Sequence, residues 1–435
     1  MKSFKTWIFI TFGIVILIIA LLIIGVILFY GNGYSLEGTV GIYLMLILSL
    51  VLTSLLAGVV LVSLLMKDKR VRSKDQAHAF PQLERIDLEM KKNPPLPYDK
   101  VSLKEFCDEF RKFSAGELGL YYSIEDIRRF IAGLAVSHIL ILQGMSGTGK
   151  TSLAYAFGRF IENDSAIIPV QPMWKERTDL IGYYNEFTKK FNETPFLEEM
   201  YKANYKPDMH ITILDEMNIA RVEYYFAEFL SLLEIPDPES RYIDVVSSKF
   251  ENDPKLLKNG QIKLPDNMWF IGTVNNDDST FSISDKVYDR AMIMNLDKRA
   301  TPFDAENPGT KKISAFDFIE LSKEIDKAYT MSSELTDLLT KLDLYLQDNF
   351  YISFGNRINR QIHQYLASYI ACGGDEMEAL DDILAKKVFR KLGNGSQALV
   401  KKEIDNLFEM LDELFGEGKM EECRSAILRI AQTTR

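Results

Sequence analysis

The chain has 435 residues, enough for two or three domains and a sizeable core. A net charge of −10 argues against a broad nonspecific nucleic-acid surface, so direct nucleic-acid binding is not expected. Cys107, Cys372 and Cys423 stand far apart with no CxxC pair, and with only four histidines they argue against a disulfide framework or a zinc site.

The charge is unevenly placed. Between Thr6 and Met66 the one charged residue is Glu37, whereas from Lys67 onward the composition is that of a globular protein. Thr6–Tyr30 and Val40–Met66 are apolar runs, each exceeding the roughly 20 residues that cross a hydrocarbon core as a helix. The first is too long for the apolar region of a signal peptide, and a second follows at once. Lys2 and Lys5 precede the first run, and Lys67, Lys69, Arg70, Arg72 and Lys74 follow the second. The loop Gly31–Thr39 holds no Lys or Arg, which places both termini in the cytoplasm of a two-pass protein of the cell membrane. Residues 1–66 are therefore expected to form a transmembrane helical hairpin. No ionisable residue lies inside either run, so the hairpin reads as an anchor or assembly surface and not as a transport path. Residues 67–97 read as a cytoplasmic linker, closed by Asn93-Pro94-Pro95-Leu96-Pro97.

Helical stretches are expected around Ser102–Phe113 and Ser123–Leu134. Short apolar runs bounded by turn residues then predict buried parallel strands at His138–Gln143, Ala166–Gln171, His210–Asp215, Met268–Val274 and Ala291–Leu296. Helical segments between them give a doubly wound α/β sheet over 98–300. From about Ser314 the pattern is helical to the end, making 301–435 an α-helical lid.

Gly144-Met145-Ser146-Gly147-Thr148-Gly149-Lys150-Thr151 matches G-x-x-x-x-G-K-[ST] between a strand and a helix that begins Thr151-Ser152. The main chain of Gly144, Ser146, Gly147, Thr148 and Gly149 and the helix start at Ser152 would surround the phosphates of ATP or GTP. Lys150 would pair with the β- and γ-phosphates, and the Thr151 hydroxyl would ligate Mg²⁺. His210–Glu216 is an apolar strand ending in two acids: Asp215 would hold the metal's water shell, and Glu216 would orient and deprotonate the attacking water. Asn275 ends a later strand, where its amide would meet the γ-phosphate or that water; the competing reading is a turn-forming Asn275-Asn276 pair.

In this order the motifs resemble an AAA+ ATPase of the McrB-like and MoxR-like branches. The resemblance is carried by the P-loop, by Asp215-Glu216-Met217-Asn218 with Ala220-Arg221 and a helix Glu223–Glu234, and by Leu264–Asn275. Asp179–Tyr184 resembles the segment before an extra loop on the second helix, and Lys258–Lys263 resembles a hairpin placed before the Asn-bearing strand. The resemblance covers roughly Ser123–Leu296 and, less closely, the lid. It implies a P-loop parallel sheet core with a helical lid, and a homo-oligomeric ring, usually a hexamer, with nucleotide between subunits. It implies an arginine finger matching Arg290, though the family often shows consecutive arginines where this chain has one. Arg299 and Arg221 are further interface candidates. The lid is expected to supply a nucleotide-sensing arginine, Arg357 or Arg360.

The chain carries no nuclease constellation, DNA-recognition motif or H-E-x-x-H, so an effector would lie on a separate polypeptide. The expected function is a membrane-anchored, Mg²⁺-dependent nucleoside triphosphatase, using ATP or GTP, that remodels or activates a partner protein. A defence role beside a nuclease and a MoxR-like chaperone role both fit. A membrane-tethered nucleotide switch with little turnover is the rival, and intact Glu216 and Arg290 weigh against it.

Overall fold

The structure, a computed structural model, describes residues 78–90, 97–247, 252–275, 280–394 and 397–432, with Val51, Leu55, Gly58, Val59, Val62 and Ser63, which are helical. The two expected spans otherwise lie outside the described residues, as do residues 67–77 and 91–96 of the expected linker. Among the described residues no helix is long and apolar enough to cross a membrane. Met1–Asp75 and Gln76–Arg435 form separate compact units; the second is described here.

It opens with α1 (Pro81–Glu89), α2 (Leu103–Leu118) and α3 (Ile124–Val136). Helix α1 falls inside the stretch expected to be linker. Its Leu83 and Ile86 are buried, and the Glu193 carboxylate accepts from the Gln82 and Leu83 amides at 2.9 and 2.8 Å, satisfying two of the donors a helix start leaves open. The folded unit therefore begins upstream of Tyr98. Ser102 and Ser123 cap α2 and α3 by accepting from Glu105 and Asp126 amides.

The core follows as β1 (Ile139–Gly144), α4 (Lys150–Phe160), β2 (Ala166–Pro169), α5 (Arg177–Ile181), β3 (Gly182–Asn185), β4 (Lys190–Glu193), α6 (Pro195–Ala203), β5 (His210–Asp215), α7 (Val222–Tyr225), α8 (Ala227–Leu232), β6 (Tyr242–Asp244), β7 (Gln261–Lys263), β8 (Met268–Asn275), α9 (Asp285–Tyr288) and β9 (Met292–Asn295). Five strands form a parallel sheet in the order β2-β5-β8-β1-β9. Each of the five overlaps a run expected from the sequence. Their near-continuous apolar character follows from position: β5, β8 and β1 are covered on both faces, so alternation is lost. One face packs on α2, α3, α4 and the lid, the other on α1, α6 and α8.

Two antiparallel hairpins project from this frame. β6–β7 lies where Lys258–Lys263 resembled such a hairpin, and β3–β4 follows Asp179–Ile181. The helix expected at Glu223–Glu234 is broken into α7 and α8 at Phe226, whose backbone leaves helical geometry while its ring stacks on Phe229 and meets Phe270 edge-on. The lid is α10 (Ala315–Ala328), α11 (Ser333–Phe350), α12 (Asn356–Ala371), α13 (Glu376–Lys387), a 3₁₀ turn Phe389–Asn394, α14 (Gln397–Phe415) and α15 (Glu421–Gln432), helical throughout as expected. Parallel strands share their direction, so Gly144, Asp215, Asn275 and Asn295 end on one edge of the sheet. His138, His210, Met268 and Met292 lie on the other.

Candidate active site

At the C-terminal edge the loop from β1 to α4 turns back on itself. Gly149 caps α4 with φ 94°, in the left-handed region, and an added Cβ would lie 3.3 Å from the Tyr122 hydroxyl, which donates to the Gly149 carbonyl at 3.2 Å. Lys150 is buried, and its ammonium donates to the carbonyls of Gly144 (3.0 Å) and Met145 (2.8 Å). The Thr148 hydroxyl donates to the Met145 carbonyl, which closes the loop over Ser146 and Gly147. Thr151 and Ser152 lie in the first turn of α4, where amides lack intrahelical acceptors.

The two acids are held by the neighbouring strand. Thr151 donates its hydroxyl to Asp215 Oδ1 at 2.7 Å, and Thr273 of β8 donates to the same oxygen at 2.8 Å. The Thr273 hydroxyl in turn accepts from the Glu216 amide at 2.8 Å. Glu216 adopts φ 52° and ψ 47°, a left-handed conformation that costs a non-glycine residue about 1–2 kcal/mol. Asn275 Nδ2 lies 3.4 Å from Glu216 Oε1. Asn218, buried beneath, donates to the carbonyls of Asn275 (3.0 Å) and Phe281 (3.3 Å), and accepts from the Phe281 amide through its own carbonyl (2.8 Å). Gly272 makes the turn fit, because an added Cβ would lie 1.9 Å from Met217 Sδ. The sequence-predicted residues Lys150, Thr151, Asp215, Glu216 and Asn275 are thus brought together. Thr273 was not anticipated; it shares a strand face with Asn275, two residues on, and that period was its signal.

These residues fit a triphosphate with a divalent cation. A hydroxyl and a carboxylate oxygen converge at Thr151 and Asp215, the oxygen donors a hard cation takes, beside a buried ammonium and a helix N-terminus. Next to the loop lies a cavity of about 790 Å³ between the start of α3, the segment after β9 and α15, lined in part by Ser123, Asp126, Asn295, Arg299 and Arg429. Arg299 donates to the Gly147 carbonyl at 2.8 Å, so it packs against the phosphate loop of its own chain. Burial raises the Asp126 carboxyl above its usual range.

The N-terminal edge is built differently. Arg290 precedes β9, and its guanidinium pairs with Glu234 at 2.8 Å, not with Asp285 or Asp289. Arg357, at the start of α12, pairs with the other oxygen of the same carboxylate. Both line a cavity of about 300 Å³ with Ser137, His138, Arg241 and Arg360. Arg357 therefore does not reach the phosphate loop of its own chain. The lid rests α12 against α3, which ends at this edge, and so delivers Arg357 beside Arg290. Arg221 is half-exposed and lies over the Phe281 ring, its guanidinium carbon 5.0 Å from the centroid.

Residues 139–291 match the family described as the AAA domain, dynein-related subfamily. The chain carries an AAA domain. It begins at β1 and ends just after Arg290, so it contains the phosphate loop, both acids, Thr273, Asn275 and Glu234. Arg357 lies outside the AAA domain, in residues 309–435, which match a domain of unknown function (DUF8727). No match to a curated protein was found. Among solved structures, the chain is similar to a candidate ATPase from Cytophaga hutchinsonii, at 16% identity and a TM-score of 0.39 over 81% of this chain and 98% of that one. It is also similar to a full-length MCM homolog from Methanopyrus kandleri, at 9% identity and a TM-score of 0.38 over 67% of this chain and 62% of that one.

Proposed function

We propose that this chain is a membrane-anchored nucleoside triphosphatase that works as a ring, each subunit completing its neighbour's site to remodel or activate a partner protein. The observation that carries the reading is the separation of phosphate-binding and arginine-bearing edges within one subunit. Strand β1 spans six residues between them, about 20 Å, more than any side chain reaches. Arg290 and Arg357 therefore serve the site of an adjacent copy.

In that reading Lys150 and the α4 amides hold the β- and γ-phosphates of ATP, the preferred substrate, or GTP. Thr151 and Asp215 would hold Mg²⁺, which supplies charge neutralisation on those phosphates when bound. Glu216, steadied by Asn275 and by the Thr273–amide bond, orients a water and accepts its proton as the water oxygen attacks the γ-phosphorus. The bond to the β–γ bridging oxygen breaks, leaving nucleoside diphosphate and inorganic phosphate. The neighbour's Arg290 stabilises the charge on the transferring phosphoryl group, a role worth about 10³–10⁵ in rate. The apolar runs Thr6–Tyr30 and Val40–Met66, with their flanking cations, support a two-pass anchor with both termini cytoplasmic.

The test is phosphate release by the full-length chain with Mg²⁺ and either ATP or GTP, beside Lys150→Ala, Glu216→Gln and Arg290→Ala. Turnover lost in all three, with nucleotide still bound by Glu216→Gln and Arg290→Ala, is the expected result. Undiminished turnover in Arg290→Ala would refute the shared-site reading, and tight binding without turnover by the parent chain would refute hydrolysis.

A further inference from the structure

Arg290 stands on a short turn whose main chain is held from the lid. Helix α9 has four residues and ends at Tyr288, whose carbonyl lies past the last backbone hydrogen bond of the turn, Ala291 N–H to Val287 O. Carbonyls 288 to 291 all accept from side chains of other elements. Lys387, the last residue of α13, donates its ammonium to Tyr288 O at 2.8 Å and also to Ala291 O. Gln361 of α12 lies 3.4 Å from Asp289 O, and Ser137 Oγ donates to Arg290 O at 3.0 Å. Two ion pairs from the 3₁₀ turn that follows α13 reinforce the grip: Arg390 with Asp285 at 2.8 Å, and Lys391 with Asp289 at 3.3 Å. The Arg390 guanidinium also covers the Tyr288 ring at 4.2 Å.

Lys387 is the centre of this clamp. It is 2% exposed, and an ammonium taken out of water is expensive to keep unless its donors are used. A methionine would fill the same space without that penalty. The Lys387 donors hold the two peptides that bracket Arg290. Burial pushes the ammonium down to about 7, so its hydrogen bonds are made against a real desolvation penalty.

We propose that Lys387 is a positioning residue for Arg290: it fixes the arginine-bearing turn to the lid, so that the lid of one subunit sets where its arginine meets the phosphates of the next. The proposal rests on the shared-site reading above. It couples two parts of the chain that belong to different sequence families, the lid helices and the AAA domain. Arg290 leads within two residues into β9, so Lys387 ties the end of α13 to the rim of the sheet that bears the arginine.

The test uses mixed assemblies of full-length chains. Arg290→Ala subunits keep a complete acid pair but offer no arginine, and Glu216→Gln subunits keep the arginine but do not turn over. A mixture restores hydrolysis at the Arg290→Ala sites that adjoin a Glu216→Gln subunit. Adding Lys387→Met to the Glu216→Gln subunit is expected to lower that restored rate by about 10- to 100-fold, the scale of a displacement near 1 Å. That donor subunit should bind nucleotide at its own site within about twofold of its parent, far under the tenfold that 1.4 kcal/mol represents. Lys387→Arg should recover part of the loss. Arg390→Gln in the same donor subunit loosens the same turn from a less buried position, and should lower complementation without touching Lys387. Complementation undiminished by Lys387→Met, or by Arg390→Gln if the Met variant does not fold, overturns the proposal while leaving the shared site intact. Failure of the unmodified Glu216→Gln and Arg290→Ala mixture to restore any hydrolysis overturns the shared site itself.

Discussion

Thr273 is the residue whose removal tests the active-site geometry most directly. Thr273→Val keeps the shape of a buried side chain and deletes one hydroxyl. That hydroxyl donates to Asp215 Oδ1 at 2.8 Å and accepts from the Glu216 amide at 2.8 Å. A net hydrogen bond contributes about 0.5–1.5 kcal/mol, and stranding a partly buried amide costs about 1–3 kcal/mol, so a stability loss of about 2 kcal/mol is expected. The larger consequence falls on turnover. Glu216 holds a left-handed backbone that is unfavourable without support, and its carboxylate meets Asn275 only at 3.4 Å. Relaxation of that backbone moves the carboxylate by an amount of order 1 Å, which lowers kcat by about 10- to 100-fold. Lys150 and the α4 amides are untouched, so nucleotide affinity should change by less than about threefold, under 0.7 kcal/mol. Steady-state phosphate release measures kcat, and equilibrium titration with a fluorescent nucleotide measures affinity. Thr273→Ser, which retains the hydroxyl, should stay close to the parent. A kcat for Thr273→Val equal to that of the parent would refute the claim that β8 positions the Glu216 carboxylate.

Other expectations follow from the same geometry. Gly272→Ala places a methyl group 1.9 Å from Met217 Sδ, so it should destabilise the chain by about 1–3 kcal/mol, and Met217→Ala in the same chain should recover part of the loss; additive melting shifts would refute the contact. Lys387 is depressed from 10.5 to about 7, foremost by burial, with Arg390, Lys391 and Arg357 also lowering it and Asp289 raising it. Folding therefore penalises the charged form: the penalty is full below pH 7, shrinks as pH rises, and is gone above about 10.5. Relative to Lys387→Met, the parent should gain stability from pH 7 to pH 9, by up to about 1.4 kcal/mol per pH unit, and a flat or falling difference in melting temperature would refute the assignment. If residues 1–66 anchor the chain, it should stay in the membrane fraction after alkaline carbonate washing and leave it only with detergent. A chain beginning at Gln76 should be recovered in the wash, and recovery of the full-length chain there would rule out the anchor.

Much of the phosphate edge was legible because its chemistry is written in contiguous residues. The loop Gly144–Thr151 and the pair Asp215-Glu216 are local patterns, and Asn275 was placed by their order. Parallel strands buried on both faces announce themselves as apolar runs, as β1, β5 and β8 do, and the shorter edge strands β2 and β9 also overlapped their expected positions. What escaped depends on tertiary placement. Thr273 is an ordinary β-branched strand residue until β8 is known to lie between β1 and β5. Helix α1 looked like linker because what holds it, the Glu193 carboxylate on its first amides, lies over a hundred residues away in sequence. The lid arginine was assigned to its own nucleotide by resemblance. Arg357 instead lands beside Arg290, because α12 packs along α3 toward the edge where the strands begin.

That displacement joins two features that the sequence had kept apart. Glu234 holds Arg290 and Arg357 with its two oxygens, so in the single chain one carboxylate partly neutralises both cations and keeps their head groups close together. Two guanidiniums converging on one anion form a ready-made receptor for a second anion, the geometry that suits planar arginine forks to phosphate. Arg290 is fixed by a turn that Lys387 and Gln361 grip from the lid, whereas Arg357 is itself a lid residue. Arg290 nevertheless leads into β9 and Glu234 follows α8, so the Glu234–Arg357 pair joins the AAA domain to the lid. In the proposed ring, a shift of lid against sheet would change the distance between Arg357 and the carboxylate that holds it, and so how much positive charge the face offers to a neighbouring copy. The same shift would alter the cavity beside Gly147, because α15 forms one of its walls. In the proposed ring, the angle between AAA domain and lid would therefore couple occupancy of one subunit's nucleotide site to the readiness of its arginines for the next.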